Sequence, residues 1–90
     1  MIRKHVFFEG KVQGVFFRAN TRDKAQQEGV TGWVKNLKDG RVEAVLEGPE
    51  DKVEKVIEWC KHNQPYASVE NVEVKEEKPT SKFDQFFVKR

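Results

Sequence analysis

The chain has ninety residues. Charged side chains make up 36% of them, yet the net charge is only +2. That balance describes one small domain with a well-solvated surface, and it argues against a dedicated nucleic-acid or membrane binder. The single cysteine, Cys60, excludes a disulfide framework and a cysteine-based metal site, and no apolar run approaches the ~18 residues of a membrane span.

The opening Met1-Ile2-Arg3-Lys4-His5 carries no signal-peptide pattern, so a reducing cytoplasm is the expected setting. A chain this short buries only about 60–65% of its unfolded surface, so any site must be simple. Ile2 to Glu9 is rich in β-formers, with Ile2, Val6 and Phe8 on one face (interrupted by Lys4) and His5 and Phe7 on the other. It reads as a strand. Gly10-Lys11-Val12-Gln13-Gly14 follows as a loop. A helix is predicted from about Phe17 to Glu28, burying Phe17, Thr21 and Ala25 and stopping at Gly29. Thr31 to Leu37 reads as a second strand, Asp39-Gly40 as a hairpin turn, and Arg41 to Glu47 as a third strand. In that third strand Val42, Ala44 and Leu46 face inward, and Arg41, Glu43 and Glu47 outward.

Gly48-Pro49-Glu50-Asp51 is a helix start, with proline early and acids in the first turn. Val53, Val56, Ile57 and Cys60 then recur at i, i+3, i+4 and i+7, which places Cys60 in the core. Asn63 and Pro65 end that helix. Val69 to Glu77 gives a fourth strand, 78–82 a loop, and Phe83 to Lys89 a last strand. The order is β-α-β-β-α-β plus a terminal strand. Two right-handed split βαβ units then lay both helices on one face of an antiparallel sheet, an α/β (α+β) ferredoxin-like sandwich, in a single domain over 1–90.

The loop between the first strand and first helix is the most informative stretch. Its backbone amides, joined by the helix's unpaired first-turn amides and partial positive charge, converge beyond the strand end. Arg18 adds a planar charged fork suited to two oxygens of one phosphate. An arginine there works against the helix dipole by roughly 0.3–1 kcal/mol, a cost that a bound anion reverses. Lys4, Lys11, Arg22 and Lys24 make the same quarter of the chain basic. The loop lacks the lysine and Ser/Thr of a nucleotide P-loop and the third glycine of a dinucleotide loop, so it reads as a small-dianion cradle or as a plain turn. Asn36 reads alone as a turn residue satisfying its own backbone. Counting along the chain places it at the end of its strand away from the glycine loop.

The remaining polar candidates are weaker. His5 and His62 lack metal-ligand spacing, Ser68 and Ser81 have no evident histidine partner, and Trp33 and Trp59 read as core or core-edge aromatics.

Val12-Gln13-Gly14-Val15-Phe16-Phe17-Arg18 together with Gly32-Trp33-Val34-Lys35-Asn36 resembles the acylphosphatase family. The Asp39-Gly40 hairpin and Glu47-Gly48-Pro49-Glu50 also fit it. The resemblance covers essentially the whole chain and implies the same sandwich. It also implies hydrolysis of acyl phosphates to a carboxylate and inorganic phosphate, with no metal and no cofactor. By that resemblance Arg18 and the loop amides of Gln13, Gly14, Val15, Phe16, Phe17 and Arg18 hold the phosphoryl group. Asn36, against its reading from the residues alone, holds the attacking water.

Many relatives carry threonine after that asparagine where this chain has Leu37, which removes one supporting hydroxyl. Phe16 stands where some relatives have a smaller residue and is expected to narrow the pocket mouth. The expected partner is a small acyl phosphate, with no nucleic acid, no membrane and a monomeric state. The competing class is a non-enzymatic RNA-binding module of the same element order. Its stacking aromatics are missing from the third strand.

Overall fold

A computed structural model describes residues 1–90. The elements run β1 (Ile2–Lys11), α1 (Phe17–Glu28), β2 (Thr31–Asn36), β3 (Val42–Gly48), α2 (Glu50–His62), β4 (Ser68–Glu77) and β5 (Phe86–Val88). The sheet order is β4-β1-β3-β2-β5. Both helices lie on the face that carries Val6, Phe8, Val34, Val42, Ala44 and Leu46, and the core forms between the two layers. Phe17, Thr21 and Ala25 of α1 and Val53, Val56, Ile57 and Cys60 of α2 fill it, as their periodicity predicts. Gly29 adopts φ 74° and closes α1 with a double turn. Its N–H donates to Gln26 O (3.2 Å) and the Val30 N–H to Ala25 O (2.9 Å), a geometry that strains any side-chain-bearing residue. No helix is long and apolar enough to cross a membrane.

Three expectations are corrected. The sheet is mixed, because β5 pairs in parallel with β2 (Gly32 with Phe86, Trp33 with Phe87, Val34 with Val88). The chain leaves β4 on one edge and must cross the end of the sheet to reach the other, so it arrives running in the direction of β2. For the same reason the last strand is shorter than Phe83 to Lys89, since the residues before Phe86 are spent on the crossing.

The third correction concerns Glu47, which points away from the helices as expected but is buried, 1% exposed. The crossing segment covers it. Its Oε2 accepts from Arg3 Nη1 (3.0 Å), the Thr80 amide (3.0 Å) and the Thr80 hydroxyl (3.1 Å), and its Oε1 from the Ser81 amide (3.0 Å). Burial alone would raise the Glu47 pKa; the Thr80 amide, Arg3 and the Ser81 amide outweigh it and hold the carboxyl below its usual range.

Candidate active site

β1 and β2 are each antiparallel to β3, so they point the same way and finish at the same end of the sheet. The glycine loop leaves the end of β1, and Asn36 is the last residue of β2. The two therefore meet, which corrects the placement obtained by counting along the chain. The β1–α1–β2 crossover carries the chain back along α1 before β2 begins, so equal ends of the two strands coincide.

The loop is anchored from beneath. Val12, Val15 and Phe17 are buried, and Phe8 and Phe17 meet edge to face with ring centres 5.0 Å apart. The residues between and after them, Gly14, Phe16 and Arg18, line the cavity above. Gly14 has φ 75° with open space around it, so the conformation rather than room calls for glycine. Phe16 also lies in the left-handed region (φ 62°, ψ 20°), where a side chain costs roughly 1–2 kcal/mol. Left-handed residues next to a helix start turn successive N–H groups toward one point, the arrangement of an anion nest. The first α1 hydrogen bond is Asn20 N–H to Phe16 O (3.0 Å). The amides of Phe17, Arg18 and Ala19 therefore precede it, without acceptors inside the helix.

The concavity measures about 490 Å³. Arg18 and Asn36 line it together with the loop residues Val12, Gly14, Phe16 and Phe17. Ala19, Arg22, Val88 and Arg90 extend it, and no acidic side chain faces it. Of the five arginines, Arg3, Arg22 and Arg41 each have a carboxylate partner, whereas Arg18 and Arg90 have none. Asn36 Oδ1 is buried with no hydrogen-bond partner, an arrangement that ordinarily costs about 1–3 kcal/mol. An amide oxygen in the lining of a cationic cleft is an acceptor with its lone pairs uncommitted. Leu37 has no hydroxyl to offer that amide, in line with the departure noted in the sequence.

The side chain of Gln13 makes a connection that sequence reading missed. Its Nε2 donates to Leu37 O (2.8 Å) and Arg41 O (2.9 Å), tying the loop to the β2–β3 hairpin one residue past Asn36. The sequence assigned Gln13 a backbone role alone. Its only signal was a long amide in a loop of small and apolar residues. Arg22, Val88 and Arg90 were also not assigned to the cavity, because no local pattern says that β5 comes to lie beside α1. Gln26 Nε2 donates to Phe86 O (2.9 Å) and Lys89 N–H to Val34 O (2.8 Å), and these bonds set β5 in place. Phe16, 73% exposed, flanks the mouth rather than closing it.

Cys60 lies apart from the cleft, buried beside Thr21 and Gln64, where burial pushes its thiol up to about 11. His5 lies on the sheet face away from the helices. Its Nδ1 is 2.8 Å from Glu77 and its Nε2 2.6 Å from Glu43.

A ferredoxin-like sandwich with an amide nest, an unpaired arginine and an unpartnered asparagine carbonyl in one cleft defines a class of small phosphate-handling domain. Comparison with known proteins makes that class specific. The acylphosphatase family profile matches residues 4–88. A relative from Haloquadratum walsbyi named acylphosphatase is 56% identical over 88 residues, 98% of this chain and 94% of that protein. Another, from Pyrobaculum calidifontis, is 54% identical over 98% of this chain and 81% of that protein. The crystal structure of acylphosphatase from Bacillus subtilis superposes with a TM-score of 0.95 at 33% identity over all of both chains. An acylphosphatase structure from Coxiella burnetii gives 0.90 at 42% identity, covering 98% of this chain and 92% of that one. The chain belongs to the acylphosphatase family.

Proposed function

We propose that the protein hydrolyses the carboxyl–phosphate bond of small acyl phosphates, releasing a carboxylate and inorganic phosphate, and that Arg18 and Asn36 carry the reaction. The observation that supports this reading most is the buried, unpartnered Asn36 Oδ1 sharing one cleft with the unpaired Arg18. The phosphoryl oxygens rest on the amides of the Gln13–Arg18 loop and on the Arg18 fork, donors already aimed before substrate arrives. Asn36 Oδ1 accepts a hydrogen bond from the water, which turns a lone pair of the water oxygen toward phosphorus. Gln13 keeps the hairpin that bears Asn36 at a fixed distance from the loop.

The water oxygen forms the new P–O bond as the acyl oxygen–phosphorus bond breaks. The carboxylate leaves with the electron pair, and the water's proton passes to a phosphoryl oxygen. A carboxylate leaves without protonation, and the transition state spreads charge over the equatorial oxygens. Positioning and fixed dipoles are therefore the main help required. The test is hydrolysis of acetyl phosphate with a chelator present and inorganic phosphate as inhibitor. Turnover insensitive to the chelator and competitive inhibition are expected. A requirement for a divalent metal, or no hydrolysis at all, rejects the reading.

A further inference from the structure

The cleft is larger than a phosphate needs: its volume of about 490 Å³ is that of a small-molecule pocket. The loop, Arg18 and Asn36 contribute part of its lining, and Ala19 and Arg22 on α1 with Val88 and Arg90 on β5 and just beyond it contribute the rest. Arg22 is four residues after Arg18, one helical turn along the same face. Its only carboxylate partner is the adjacent Asp23, held through Nε alone (3.1 Å), which leaves the Nη groups for another acceptor. Arg90, the last residue of the sequence, is exposed and pairs with no acidic side chain. A phosphoryl dianion is already served by the nest and Arg18. Two further guanidinium groups in the same lining, with no acidic side chain among the lining residues, are placed to meet a second negative charge.

Resting on the hydrolase reading above, we propose that Arg22 and Arg90 form an acyl-group subsite that selects acyl phosphates carrying a second anionic group at the far end of the acyl chain. Ala19 and Val88 supply the apolar wall between the two charged ends, and Phe16 flanks the entrance.

The test compares fumaryl phosphate with crotonyl phosphate, two rigid acyl phosphates that differ by a carboxylate in place of a methyl. The native protein is expected to show a kcat/KM ratio of about ten in favour of fumaryl phosphate, the size of two exposed charge pairs at the upper end of their range. The ratio shrinks as salt is raised. In Arg22→Gln combined with Arg90→Gln it falls to about one, whereas Arg22→Lys keeps part of it. Equal handling by the native protein, or a ratio the double substitution does not move, overturns the subsite. If neither compound is hydrolysed, the hydrolase reading fails. The subsite is then decided by calorimetric binding of 3-phosphonopropionate against propylphosphonate, where the same tenfold difference and the same loss are expected and equal affinities overturn it.

Discussion

The two ends of the sheet treat polar groups in opposite ways. Where β3 ends and β1 begins, Glu47 is surrounded by donors from Arg3, Thr80 and Ser81, and Arg3 also meets Glu77 Oε1 at 2.8 Å. Where β1 and β2 end, Asn36 Oδ1 is buried without a partner, Arg18 has no counter-charge, and Phe16 holds a left-handed backbone. A saturated buried charge holds chain together, here the crossing segment that carries β5 to its edge. Unsatisfied groups gathered in one cleft are a standing cost to folding that a ligand relieves.

Replacing residues at each end separates the two roles. The largest effect is expected for Arg18→Ala, which lowers kcat/KM by ~10³-fold or more and weakens phosphate inhibition, while thermal unfolding moves by no more than about 0.5 kcal/mol. Arg18→Lys recovers little, because a point charge does not reproduce the fork. Glu47→Ala is the mirror experiment. It leaves Arg3 without its buried partner, and urea unfolding is expected to show a loss of about 3 kcal/mol with kcat of the folded fraction retained. Asn36→Ala lowers kcat by ~10²-fold while inorganic phosphate binds as before, and it leaves stability equal or improved. If that variant also lost phosphate affinity, the division of labour between Asn36 and the loop would be wrong.

Smaller effects sharpen the contrast. Gln13→Glu removes both donors to the Leu37 and Arg41 carbonyls and is expected to lower kcat about tenfold with little change in phosphate inhibition. A protonated carboxyl regains one donor, so part of that loss recovers at low pH. A flat pH profile would reduce Gln13 to a packing role. The pH dependence of stability belongs to the other end. Glu77 is held low by its hydrogen bonds to His5 and Arg3, and Glu47 is held low against burial by Thr80, Arg3 and Ser81. A depressed carboxyl adds stability that is complete above the ordinary value of about 4.3 and lost as pH falls through the folded value. Unfolding midpoints from pH 6 to pH 2 should therefore drop on the acid side, and Glu47→Gln should shallow that drop.

The order of the elements and the special character of the glycine loop were legible in the residues alone. Alternation in β1 and β3, the i, i+3, i+4, i+7 run in α2 and the stop at Gly29 are local properties, decided by which side chains share a face and which backbone angles glycine permits. Arg18 was legible for the same reason, as a charge placed against its own helix dipole. The family resemblance implied that Asn36 and Arg18 serve one substrate, but the reason they share a cleft, two strands running the same way after a crossover, is a matter of tertiary packing. So are the burial of Glu47, the parallel pairing of β5 with β2 and the place of Arg22 and Arg90 in that cleft. Each of these follows from where a segment remote in sequence comes to rest, and short-range periodicity carries no record of that.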